Sequence, residues 1–156
     1  MREDQSSGLA VSSLPSLPVG DVVLDTNIVL DLFVFNDPAT APLKAALQQG
    51  QLRWLATDEM RVELARVLTY KQILPRMAYY KVSAEDVLGQ FDAQAQLMPV
   101  APKAGVTCRD ADDQKFIDLA VVHRCLLLSK DQAVLCMSKR LLPLGVKAQA
   151  AIDSVA

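Results

Sequence analysis

Asp21-Val22-Val23-Leu24-Asp25-Thr26-Asn27-Ile28-Val29-Leu30 is the stretch that decides the fold. Three apolar residues between two acids suit a short strand buried on both faces. Asp25-Thr26-Asn27 closes that strand. The apolar run of residues 28–35 is too long to belong to it, so strand, polar turn and helix follow one another. Downstream, Pro38 and Pro42 punctuate the start of a helix over 43–49 that stops at Gly50. Trp54-Leu55-Ala56 reads as a second strand. Thr57, Asp58 and Glu59 then open a helix running to about Tyr70, with the acids at the positive end of its dipole. Pro75 interrupts what comes next. Ser83 begins another helix, with Val87, Leu88, Phe91, Ala95 and Leu97 at helical spacing. Pro99, Pro102 and Gly105 mark a loop. A helix over 112–123 and a buried strand over 125–128 follow. Ser129-Lys130-Asp131 opens a helix to about Leu142, and residues 145–148 suit an edge strand. Strands alternating with helices imply an α/β domain with a parallel sheet covered on both faces.

The chain has 156 residues and 51% hydrophobic content, enough for one domain with a full core. Residues 1–20 read as a flexible N-terminal extension, from the Ser- and Pro-broken segment QSSGLAVSSLPSLPV at 5–19. The folded domain is expected over 21–156. Arg2, Glu3 and Asp4 do not suit a secretory signal. No apolar run approaches the roughly 20 residues that span a bilayer, so no membrane association is expected. Cys108, Cys125 and Cys136 show neither CxxC nor zinc spacing, which suits reduced thiols and a cytoplasmic location. A net charge of −2 supplies no general field for a polyanion. Nucleic acid would have to be met by a local basic patch or by bound metal.

Acids fall where an open parallel sheet builds its sites, beyond the carboxyl ends of the strands. Asp25 and Asp131 each follow a predicted strand. Asp112 and Asp113 open a predicted helix, and Glu63 lies within one. Each has a plain structural reading: Asp25 and Asp131 as N-caps, Asp112 and Asp113 as dipole partners, Glu63 as a solvated helix residue. Together they can converge on one pocket. Clustered like charges need a cation among them. An all-oxygen set suits Mg²⁺ or Mn²⁺. The single histidine, His123, reads as a surface or half-buried residue at a helix end. A Ser/His/Asp triad is not expected, because this lone histidine lies off the strand ends.

In this order the motifs resemble those of the PIN-domain family. Residues 22–30 resemble its opening motif, and Glu63 in Arg61-Val62-Glu63-Leu64 its second acid. The segment from Cys108 to Ile117, with Asp112-Asp113, resembles the third motif, and Leu128-Ser129-Lys130-Asp131 the fourth. The Cys-Arg-Asp-x-Asp-Asp form is similar to that of a subgroup of toxin components of toxin–antitoxin systems. The resemblance implies a three-layer α/β/α sandwich around a parallel sheet of about five strands. It implies an Mg²⁺- or Mn²⁺-dependent ribonuclease, a cognate antitoxin and a homodimer. Carried over by position, the metal-binding and catalytic acids are Asp25, Glu63, Asp113 and Asp131. Asn27 and Ser129 support them, and Asp112 is a supporting acid or a substitute ligand.

RNA contacts are expected from a basic rim that includes Arg61, Arg109 and Lys115. Lys130 stands between two site positions, to bind phosphate, pair with an acid or remain solvated. Few aromatics argue against base stacking and for recognition of structured RNA by shape. The alternative to an enzyme is a catalytically silent PIN-like module that binds RNA or protein.

Overall fold

A computed structural model describes residues 20–152. The expected extension at 1–20 therefore lies outside the described residues, apart from Gly20, which opens the first strand. Five strands form one sheet: β1 (Gly20–Leu24), β2 (Leu52–Ala56), β3 (Ala95–Leu97), β4 (Leu126–Leu128) and β5 (Lys147–Gln149). Their order is β3-β2-β1-β4-β5, and every neighbouring pair is parallel. Helices flank the sheet: α1 (Thr26–Phe33), α2 (Ala41–Gln48), α3 (Asp58–Val67), α4 (Leu74–Tyr80), α5 (Ala84–Gln94), α6 (Gln114–His123), α7 (Gln132–Leu135) and α8 (Ser138–Leu141). This is the expected three-layer α/β/α sandwich. No described helix is long and apolar enough to cross a membrane.

The centre of the sheet follows from its sequence. Val22, Val23, Leu127 and Leu128 lie side by side in β1 and β4 and are buried, as a strand covered on both faces requires. Trp54 anchors the β2 side. Its ring stacks on Phe33 at 6.0 Å and meets Phe91 edge-on at 5.1 Å, arrangements that aromatic quadrupoles favour. From β1 the chain steps outward to β2 and β3, then crosses back to β4 on the other side of β1. The β1/β4 seam is thus where strand order reverses, the place where such sheets gather ligands.

Three expectations are corrected. The helix from Ser83 stops at Gln94, and Ala95–Leu97 is a strand. Ala95 turns extended (φ −82°, ψ 138°), and β3 gives the open edge of β2 a partner, continued by the 2.8 Å bond from Met98 N to Ala56 O. An unpaired edge outweighed helical spacing. Pro75 does not merely interrupt: it sits in the first turn of α4, where no N–H is needed. The helix expected from Asp131 to Leu142 is broken into α7 and α8. The backbone turns at Met137 (φ −93°, ψ 0°), whose side chain is fully buried. Gly145 then swings the chain into β5 with φ +86°, a conformation glycine adopts freely. A Cβ there would sit 2.8 Å from the Arg124 guanidinium carbon.

Candidate metal centre

Asp25 occupies the N-cap position of α1, yet its side chain makes no capping bond. The carboxylate instead turns across the β1/β4 seam. Its Oδ2 accepts a 2.5 Å hydrogen bond from Ser129 Oγ. The same hydroxyl accepts from the backbone N–H of Asp131 at 3.0 Å. The Asp25 N–H donates to Leu128 O at 2.9 Å. Ser129, fully buried, thus ties the end of β1 to the turn after β4.

Asp131 does cap its helix, accepting from Ala133 N at 2.9 Å through Oδ1. That bond leaves its second oxygen for other work. Asp113 arrives from the far side, on a short 3₁₀ turn, Ala111–Asp113. Asp110 caps that turn by accepting from Asp112 N at 3.0 Å. Asp113 precedes α6 but does not cap it. One oxygen each from Asp25, Asp113 and Asp131 lie within 4.8 Å of one another.

The electrostatics show what this proximity costs. Burial raises the Asp25 carboxyl above its usual range, against the opposing Ser129 bond, and the charges of Glu63 and Asp131 add to the rise. Burial pushes Asp113 up to about 8, aided by the neighbouring Asp131 and Asp25 carboxylates. Asp131 is held low, first by its contact with Asp113. The two carboxyls thus titrate as a pair, and their proximity opposes ionisation of both at once. Asp113 is only 6% exposed, and its Oδ2 has no hydrogen-bond partner. A buried oxygen without a donor calls for explanation. Three converging carboxylate oxygens fit a hard divalent cation.

Glu63, on α3, stands beside this trio rather than within it. Its Oε2 accepts from Thr26 Oγ1 at 2.5 Å, and its Oε1 is ion-paired with Lys115 Nζ. Lys115 also donates to the backbone oxygen of Asp112 at 2.5 Å. Of the acidic doublet, Asp113 brings its carboxylate to the trio, while Asp112 is exposed. Asn27 is exposed at the start of α1 and lines a neighbouring groove. Arg61 is held by Asp92 through two bonds of 2.7 and 2.8 Å. Arg109 is exposed, and its charge helps to hold Asp131 low. Lys130 Nζ lies 2.6 Å from Asp31. His123 ends α6, half-buried. The three cysteines are free thiols.

Sequence reasoning passed over Asp31 and gave Thr26 no role at the site. Asp31 is buried inside the apolar run of α1, and an acid within such a run was a readable signal. Thr57, expected to cap α3, holds the N-cap position but makes no capping bond, and its Oγ1 is buried without a partner at the end of β2.

Ser129→Ala is expected to weaken divalent-metal binding by about 10- to 100-fold, the usual loss when a group that orients a ligand is removed. Titration calorimetry with Mn²⁺ checks it. An unchanged affinity would show that Asp25 keeps its position without the hydroxyl.

A family model described as PIN domain matches residues 21–133, more than two thirds of the chain. The match contains Asp25, Glu63, Asp113 and Asp131. No curated protein matches the chain.

Proposed function

The chain belongs to the PIN-domain family, whose members are generally nucleases, and from that premise we propose that it is a divalent-metal-dependent endoribonuclease. The observation that carries the reading is the meeting of Asp25, Asp113 and Asp131 at the β1/β4 seam, with an orphan oxygen on Asp113. These three would hold Mg²⁺ or Mn²⁺. Glu63, 14% exposed beside them, would join once Lys115 releases it. When bound, the metal supplies Lewis-acid activation of a water and charge for the leaving oxygen.

The protein's own residues do the rest. Ser129 fixes the Asp25 carboxylate and, through the Asp131 N–H, the position of the last acid. As a ligand Asp113 would have to be ionised, so holding the cation would be linked to loss of any proton on its carboxyl. Lys115 and Arg109 border the acids and offer cations to a phosphate. No covalent intermediate on a side chain is called for, since the carboxylates would be engaged as ligands. The form of the third motif supports a role as the toxin of a toxin–antitoxin pair. It would act as a cytoplasmic homodimer restrained by a cognate antitoxin protein.

The test is cleavage of RNA by the purified chain with Mg²⁺ or Mn²⁺, beside an EDTA control and a DNA substrate. Cleavage of RNA that stops on chelation is the expected result. A folded protein that binds Mn²⁺ and leaves every RNA intact would sink the enzymatic reading and favour a silent binding module. Growth arrest on expression, relieved by a co-expressed neighbouring gene, is expected of the toxin role.

A further inference from the structure

Beside the carboxylates lies a groove of about 490 Å³, within the size range of small-ligand sites. It starts where the acids end. Asn27, two residues after Asp25, and Lys130, one before Asp131, form its near wall. The far wall is aromatic and cationic. The Arg76 guanidinium lies over the Phe35 ring, 3.8 Å from its centroid. Tyr80 stands 6.2 Å from Phe35, tilted by 60° and 42% exposed.

Each of these groups has capacity left over. A guanidinium stacked by its face keeps its in-plane N–H donors free, and among the described residues Arg76 has no acid partner. Lys130 gives one of its three donors to Asp31 and remains 46% exposed. Asp31 itself is buried beneath that contact. Asp37, also at the rim, turns its Oδ1 to the backbone N–H of Ala39 at 2.9 Å. The groove therefore presents two cations beside the Tyr80 ring, which meets Tyr79 at right angles, 5.0 Å between centroids, and keeps 42% of its surface exposed.

The geometry points to a nucleotide subsite: an RNA residue next to the cut phosphate lays its base on Tyr80 and sets its phosphate between Arg76 and Lys130. This rests on the endoribonuclease reading and adds to it which residues choose the substrate. A base can reach Tyr80 only when it is unpaired and unstacked from its neighbours, because stacking uses a face that a duplex conceals. The scarcity of aromatics in the sequence suggested the opposite. Phe35 and Tyr80 lie far apart in the chain and become neighbours only when α4 packs beside the end of α1.

The experiment uses the full chain carrying Asp25→Asn, chosen so that bound RNA is not cut, and a fluorescently labelled unstructured oligoribonucleotide read by anisotropy. Adding Tyr80→Ala or Arg76→Ala is expected to weaken binding by about 10-fold each, while Tyr80→Phe, which keeps the ring, changes it by less than about twofold. A blunt duplex of the same composition is expected to bind more weakly than the single strand. Equal affinity for all variants, or for duplex and single strand, overturns the subsite.

Wild-type cleavage separates this from failure of the nuclease reading. Metal-dependent cleavage that Tyr80→Ala and Arg76→Ala leave untouched removes the subsite and keeps the enzyme. No cleavage, with binding that still depends on Tyr80 and Arg76, keeps the subsite and removes the enzyme. Absence of both cleavage and binding removes both.

Discussion

Asp25→Asn is expected to abolish cleavage, by at least about 1,000-fold, and to weaken Mn²⁺ binding by more than about 100-fold, without unfolding the protein. The two side chains have nearly the same shape. The Ser129 hydroxyl that now donates to Asp25 Oδ2 at 2.5 Å can donate equally to an amide oxygen, so the tie across the seam survives. What disappears is charge. In the metal-free protein that charge is a burden, since burial and the neighbouring Glu63 and Asp131 all oppose ionisation of Asp25. Removing it should leave thermal stability unchanged or raise it in EDTA, and should cancel the stabilisation that added metal gives the wild type. Calorimetry, thermal unfolding with and without Mn²⁺, and an RNA cleavage assay read the three effects. A variant that still binds Mn²⁺ like the wild type would show that Asp25 is not a ligand.

Metal affinity is expected to rise steeply with pH, by close to tenfold per unit from about pH 6 to about pH 8, and then to level off. The cause is Asp113, whose carboxyl stands at about 8 in the folded, metal-free chain. Below that value a cation must displace a proton, and one proton released gives a slope of one. The sign for stability runs the other way. Asp113 is raised above its ordinary value of 3.8, so across that window the folded chain binds a proton that the unfolded chain has lost. Its contribution is present at low pH and is lost as pH climbs towards 8. Without metal, stability should therefore fall from about pH 5 to 8, and saturating Mg²⁺ should remove or reverse that fall. Asp113→Asn should flatten both dependences. A metal affinity that does not vary over this range would mean that Asp113 is already ionised or takes no part.

Much of this was legible because the residues that build the sheet also place the acids. A strand buried on both faces must be apolar throughout, so Val22 to Leu24 and Leu126 to Leu128 announced themselves. The acids that ended them had to lie on one edge, because parallel strands end together. The doublet Asp112-Asp113 left the register open in the sequence, with the offset from Phe116 and Ile117 favouring Asp113, the member whose carboxylate the fold brings to Asp25 and Asp131. What stayed hidden depends on partners distant in sequence. Ala95–Leu97 has helical spacing and becomes a strand only because β2 offers it an edge. The ion pairs of Lys115 with Glu63 and of Lys130 with Asp31 are choices among many acids, made by geometry that no local pattern carries. The Arg76–Phe35–Tyr80 wall is hidden for the same reason.

The bond from Ser129 to Asp25 joins residues 104 positions apart. A ribosome working at about 5–20 residues per second needs on the order of 5–20 s to travel that distance. For all that time the emerging chain carries Asp25 and lacks the Ser129 turn that ties it down. A product cut short before β4 holds at most a fragment of the centre. The capacity that resides in the completed seam is thus withheld from every copy that stops before Asp131.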